Sequence, residues 1–188
     1  MPKKTSITKE AITDAALKIL RRDGESAINA RSVAKELGIS TQPIFSHFEN
    51  MADLKEALSE RVWEEYNSFY KKEIESNKYP KYKASGMAYI KFANAEPTLF
   101  NYLYSGKNSH SKKADTMFWG QVSEIKDTKG VSNESAMLFH LQMWIHVHGI
   151  ATLTSNKYIE LDEETISKMI TNIYKNIKII YDVISLKK

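Results

Sequence analysis

The sequence predicts an all-α protein. Three observations carry this: only 7 Gly and 4 Pro punctuate 188 residues, no two-residue Gly turn joins alternating apolar runs, and most segments space apolar residues three and four apart. A chain 42% hydrophobic and 27% charged has enough apolar side chains for one or two packed domains, which excludes disorder as its main state. It contains no run of about 18 apolar residues, and the opening MPKKTSITKE lacks the apolar stretch of an export signal, so a soluble cytoplasmic chain is expected. With 0 Cys, disulfides, thiolate metal sites and a cysteine nucleophile are all excluded. The net charge of +4 suits a polyanionic partner if the cations gather on one face.

The first helix opens at Thr8, whose hydroxyl can cap the first turn, with Ile7 placed to staple onto Ile12; Ile12, Ala15, Ala16, Ile19 and Leu20 form its apolar face. Gly24 ends it. The second opens at Asn29, buries Val33, Ala34 and Leu37, and stops at Gly38, which supplies a left-handed residue. The third is capped by Ser40, carries Pro43 in its first turn, where a missing N–H breaks no intrahelical bond, and ends at about His47 or Phe48. Two short helices joined by a Gly-containing turn form a helix-turn-helix, whose second member enters the DNA major groove. Val33, Leu37, Ile39, Ile44 and Phe48 pack on the first helix; Thr41, Gln42, Phe45, Ser46 and His47 stay outward. That outward set has too little apolar area for a packing face, and its hydrogen-bonding groups suit base edges and phosphates.

A long helix follows from Asn50 to about Ser76, with Leu54, Leu58, Val62, Trp63, Tyr66, Phe69 and Tyr70 on its stripe. Breaks at 76–80, 105–111 and 128–132 separate helices rather than independent domains. The stretches 85–106, 117–122 and 137–153 are unusually aromatic. Met87, Tyr89, Phe92, Phe100, Tyr104, Phe118, Trp119, Phe139, Met143, Trp144 and His148 are the candidate lining of an apolar cavity whose polar tips orient a small molecule. His146 and His148 lie two apart on a helix and diverge by about 200°, so no metal site is expected. His140 and His148 share a face with Trp144, where either a backbone or Tyr partner, or a ligand, can satisfy an imidazole. The last helix, capped by Asp162, carries Ile170, Ile173, Tyr174, Ile177, Ile180, Tyr181 and Ile184, more than one seam needs, so one face packs inward and another against a partner. No Gly-rich phosphate loop, HisGluxxHis or GlyxSerxGly string exists, and neither enzymatic activity nor a cofactor is expected.

The segment INARSVAKELGISTQPIFSHFENMADL, from Ile28 to Leu54, resembles the DNA-binding region of the TetR family of bacterial transcriptional regulators, through Asn29, Arg31, Val33-Ala34, Gly38, Ser40, Phe45, His47-Phe48 and Leu54. The resemblance implies base or water-mediated readout by Thr41, Gln42 and Ser46, and backbone positioning by Arg31, Ser40 and His47. It further implies ring packing by Phe45 against the sugar-phosphate edge, Pro43 in the variable part of the motif, a cap at Asn29 and a basic arm at Lys3 and Lys4. Phe45 replaces the family's usual Tyr, and Met51 its usual Lys, with Lys55 one turn on. Trp144, His148 and Gly149, with AYIKFA upstream and a helix starting at Pro97, resemble a ligand-binding domain from one branch of the same family. The expectation is therefore a DNA-binding domain over 1–50, a ligand-sensing and dimerisation domain over 51–188, and a homodimeric repressor on a palindromic double-stranded DNA operator, released by a small-molecule effector. The competing expectation is a small-molecule carrier or enzyme that uses the aromatic cavity and keeps a vestigial helix-turn-helix.

Overall fold

A computed structural model describes residues 7–104 and 112–185, with backbone alone for 112–115 and 180–185. The described residues are helical and include no strand. The order is α1 (Lys9–Asp23), a 3-10 turn (Glu25–Ala27), α2 (Ala30–Leu37), α3 (Gln42–His47), α4 (Met51–Glu75), α5 (Lys81–Ala95), α6 (Pro97–Tyr104), α7 (Lys112–Lys129), α8 (Asn133–Ser155) and α9 (Glu163–Ser185). The expected breaks at 76–80 and 128–132 fall between helices; the break at 105–111, Lys3, Lys4 and the side chains of Ile180, Tyr181 and Ile184 lie outside the described residues.

Two compact units share the chain: Met1–Glu65 with Thr98–Ser111, and Tyr66–Pro97 with Lys112–Lys188. The boundary between these units falls inside α4. Leu54, Leu58 and Val62, each 0% exposed, make the first half of α4 part of the first unit's core. There, α6 is tied to α4 by the buried Tyr102, whose hydroxyl donates to the Lys55 carbonyl at 3.1 Å.

Within the first unit, the Thr8 hydroxyl accepts from the Ala11 N–H at 3.1 Å and caps α1. Asn29 caps α2 by accepting from Arg31 and Ser32, while Ser32 returns a bond from the Asn29 N–H, a reciprocal box. Gly38 sits at φ 67°, ψ 32°, and the following Ile39 N–H donates to the Ala34 carbonyl, so the chain reverses immediately after α2. The expected Ser40 cap is absent. A cap oxygen at 40 would bond the N–H two or three residues on, and the second of these, at Pro43, does not exist, which leaves Gln42 alone as a partner. Helix α3 instead starts at Gln42 behind Thr41, which is already helical at φ −74° and makes no side-chain cap.

In the second unit α5 packs against α8 and α9, and α7 against α8. Tyr82 meets His140, Tyr89 meets His148 and Asn94 meets Thr154, in the same order along both chains, so α5 and α8 run parallel. Gly86 faces both partner helices, with room for a methyl group in ordinary van der Waals contact. A Cβ there would lie 3.4 Å from Val147 and 3.7 Å from Ile170.

Candidate nucleic-acid interface

Helix α3 is anchored by one side chain. Ile44 is 1% exposed and Phe48, just past the helix, 3%, whereas Gln42, Ser46 and His47 are exposed, Phe45 is 49% exposed, and Thr41 and Pro43 are half-buried. The outward set read from the sequence is thus brought together on one short helix, with Ser40 exposed beside it. The chemistry each offers differs. The Gln42 amide has no partner among the described residues and can both donate and accept. The Ser46 hydroxyl donates to the Gln42 carbonyl at 3.1 Å and has only acceptor capacity to spare. His47 lies with Nε2 2.9 Å from the Ile7 carbonyl; a carbonyl only accepts, so the proton sits on Nε2 and only Nδ1 is uncommitted. Asn29 is consumed by its cap.

Ion pairing within this unit decides which cations can meet phosphates. Arg22 is held by Asp23 and Glu36, Lys55 by Glu25 at 3.1 Å, Arg61 by Asp14 and Glu65, and Arg21 by Glu65. Lys9 rests 4.9 Å over the Phe48 ring. Arg31 has no carboxylate within ion-pair distance among the described residues, and the same holds for Lys35, one turn on along the exposed side of α2. Sequence reasoning passed over Lys35, although its spacing of four from Arg31 was a usable signal. Lys55, the candidate replacement for a phosphate-clamping Lys at position 51, is spent on Glu25. Asn50 still caps α4, accepting from the Ala52 and Asp53 N–H groups. An open groove of about 970 Å³ starts at His47 and Phe48 and runs along α1 and α4; Lys9 and Arg61 line it, but Glu10, Asp14, Asp53, Glu56 and Glu60 outnumber them, which disfavours a polyanion there.

Residues 12–58, from α1 into α4, match the model of the family described as bacterial regulatory proteins, tetR family. The amino-terminal region is thus similar to the helix-turn-helix DNA-binding domain of the TetR-family transcriptional regulators. The likeness in fold extends over most of the chain, to solved structures at low identity. One is a protein of unknown function from Rhodococcus sp. RHA1, at TM-score 0.73 and 20% identity over 94% of this chain and 96% of that one. A TetR-family transcriptional regulator from Haemophilus influenzae matches at 0.59 and 17% over 89% and 94%. A TetR variant from Acinetobacter baumannii in complex with minocycline matches at 0.63 and 13% over 94% and 98%. No curated protein matches the chain in sequence.

The aromatic candidates divide between the two units. Phe100 and Tyr104 belong to the first, where Tyr104 packs edge-on to Trp63. In the second unit Met87, Tyr89, Phe92, Phe139 and Met143 are buried, and Phe92 meets Tyr66 and Phe69 edge-on at 5.5 Å. Phe118 packs 4.7 Å from the His140 ring, and Trp144 lies 5.4 Å from that of His148. Trp119, at 54% exposure, is on the surface. Both candidate-face histidines are bonded to tyrosines: His140 Nδ1 to the Tyr82 hydroxyl at 2.9 Å and His148 Nδ1 to that of Tyr89 at 2.8 Å.

Burial pushes the His140 imidazole down to about 4 and lowers that of His148, and it raises the Tyr82 phenol, so each Tyr82–His140 partner stays neutral. An unfolded His takes up its proton near 6.5, before the folded one does. The stabilisation is therefore complete above about pH 6.5 and is lost as pH falls towards 4, by about 3 kcal/mol for His140. Glu163 acts in a lower window: hydrogen bonds from Lys78 and Lys91 hold its carboxyl at about 2. Denaturant titrations at pH 7.5, 5.5 and 4.5 should show stability falling across this range and falling less in His140→Gln; equal values at all three would contradict the argument.

Proposed function

We propose that the protein is a dimeric repressor that grips a palindromic operator in the cytoplasm and releases it when a small molecule binds. The observation that carries DNA reading is the geometry of α3: a single buried anchor, Ile44, and an exterior of Gln42, Thr41, Phe45 and Ser46 beside the unpaired Arg31 and Lys35. Gln42 reads base edges, where its amide supplies a donor and an acceptor at once. Arg31 meets phosphate, with Lys3 and Lys4 as a basic arm and Ser40 and His47 as neutral phosphate contacts. Phe45 packs on the sugar edge, and Asn29 holds the start of α2.

Dimerisation is supported by an apolar stripe on α8 and α9. Leu138, Ile145, Leu153, Met169 and Ile179 are 40 to 60% exposed, which is costly for a free surface. A Cβ on Gly149, between Ile145 and Leu153, would meet nothing within 4 Å, leaving space for a second helix. A twofold dimer presents two α3 helices to half-sites about one helical turn apart. Effector binding is supported by the aromatic interior of the second unit and by similarity to a multidrug-binding protein solved with imidazole, and to the minocycline complex. Helix α4, whose residues belong to both units, is the covalent path by which effector and DNA each weaken the other's binding. No described helix is long and apolar enough to cross a membrane.

Gel-shift titration against DNA upstream of the protein's own gene, at two salt concentrations, tests this reading. Gln42→Ala should cost roughly 1 to 3 kcal/mol on the operator and little on scrambled DNA. Arg31→Gln should weaken both alike and lower the salt slope by about 1. Equal affinity of the native protein for operator and scrambled DNA would reject the assignment.

A further inference from the structure

In the second unit the half-buried Lys91 meets Glu73 and Glu163, and the exposed Lys81 meets Glu124. Two other half-buried lysines meet hydroxyls instead. Lys83 on α5 donates to the Ser167 hydroxyl at 2.6 Å and the Thr171 hydroxyl at 2.8 Å, and lies 4.7 Å over the Tyr79 ring. Lys129 at the end of α7 donates to the Tyr174 hydroxyl at 2.8 Å and sits 5.1 Å over that ring and 5.5 Å over Phe139. Ser167, Thr171 and Tyr174 are four and three apart on α9, so both ammonium groups converge on one flank of that helix.

No carboxylate lies within ion-pair distance of either lysine among the described residues. Helix α5 has no acidic residue, and α9 has none between Glu164 and Asp182; Asp127 and Glu124, on the same helix as Lys129, make no ion pair with it, and Glu124 meets Lys81. Glu163, bonded by the Tyr79 hydroxyl, is already gripping Lys78 and Lys91. The donors are left over. Ser167 and Tyr174 accept from ammonium groups and have no acceptor among the described residues for their own hydroxyl protons, and a hydroxyl that accepts from a cation is a stronger donor. Burial without a counter-charge lowers the Lys83 ammonium below its usual range. All five residues are half-buried, so the flank is reachable from solvent. At about 100° per residue it lies roughly 165° around α9 from Met169 and roughly 115° from Ile179, so the apolar stripe can be covered while this flank stays open.

We propose that Lys83, Ser167, Thr171, Tyr174 and Lys129 form an oxyanion-binding site, and that the effector carries a carboxylate or phosphate group which this site holds. The proposal rests on the effector reading above. Two cations and two uncommitted hydroxyl donors match the several lone pairs of a compact oxyanion, and no donor-rich or cationic ligand can use them.

Thermal melts of the full-length protein at fixed ionic strength test it, with sodium phosphate or sodium benzoate exchanged for chloride and tetraethylammonium chloride as the opposite-sign probe. Phosphate, benzoate or both should raise the melting temperature through preferential binding to the folded state, and tetraethylammonium should not. Which sodium salt acts identifies the anionic group. Lys83→Met with Lys129→Met, which keep the aliphatic stems, should abolish the rise, and Ser167→Ala, which keeps both cations, should weaken apparent affinity at least about tenfold. An undiminished rise in the double variant, or none with either anion in the native protein, overturns the proposal. Gel shifts with the same salts separate the two readings. Binding lost in the variants, with operator retention unaffected by the anion, keeps the site and rejects its effector role. Operator release by another compound while neither anion binds keeps the effector reading and rejects the site.

Discussion

Ile145→Lys is expected to yield a folded monomer that loses operator retention by about a hundredfold or more, through the lost effective concentration of the second half-site. Ile145 is 56% exposed, so its replacement removes little from the second unit's own core. It lies seven residues from Leu138 and eight from Leu153 on α8, centring the stripe that the proposed partner covers. Two facing copies would place lysine ammonium groups against one another in an apolar seam, and an unpaired buried charge costs far more than the lost methyl contacts. Sedimentation equilibrium, circular dichroism and gel shift on one preparation check this. A variant that stays dimeric would move the interface elsewhere, and a monomer with undiminished affinity would remove the need for a dimer.

Ile44→Ala is expected to cost about 2 to 4 kcal/mol of stability in the first unit, because Ile44 is the only fully buried side chain of α3. A helix of six residues cannot hold itself together in water, so its conformation depends on that contact. Operator affinity should fall with stability, since Gln42 and Ser46 are aimed only while α3 is docked. Phe45→Ala, at a position 49% exposed, is the control and should change stability by less than about 0.5 kcal/mol. Chemical denaturation of both variants decides it; a loss in Ile44→Ala no larger than the control's would mean that α3 is held by something else.

The helices and their stops were legible locally. Thr8, Asn29 and Gly38 act where chain position alone placed them, because a cap or left-handed turn involves residues within four of each other. Asp162 likewise accepts from the Thr165 N–H at 2.7 Å. The Ser40 cap failed through a local detail that was also in plain sight, the missing N–H of Pro43. Other matters were out of reach for a physical reason. Arg21 meets Glu65 across 44 residues and Lys55 meets Glu25 across 30, so which cations remain free for phosphate is a property of packing. The helical period does not separate a buried ring from a surface one when a stripe is broad, and Trp119 came out on the surface while Phe118 beside it packs on His140.

Taken alone, then, the order of amino acids determined an all-helical chain, the ends of its first helices, the outward positions Gln42, Phe45, Ser46 and His47 and the likeness of the amino-terminal region to the TetR family, since each depends on neighbours along the helix. Only the tertiary structure decided that the units part within α4, that α6 belongs with the first, that His47 is tied to Ile7, and that Lys83 and Lys129 converge on one flank of α9. Those facts rest on contacts between residues 40 to 88 apart along the chain, which no local periodicity encodes.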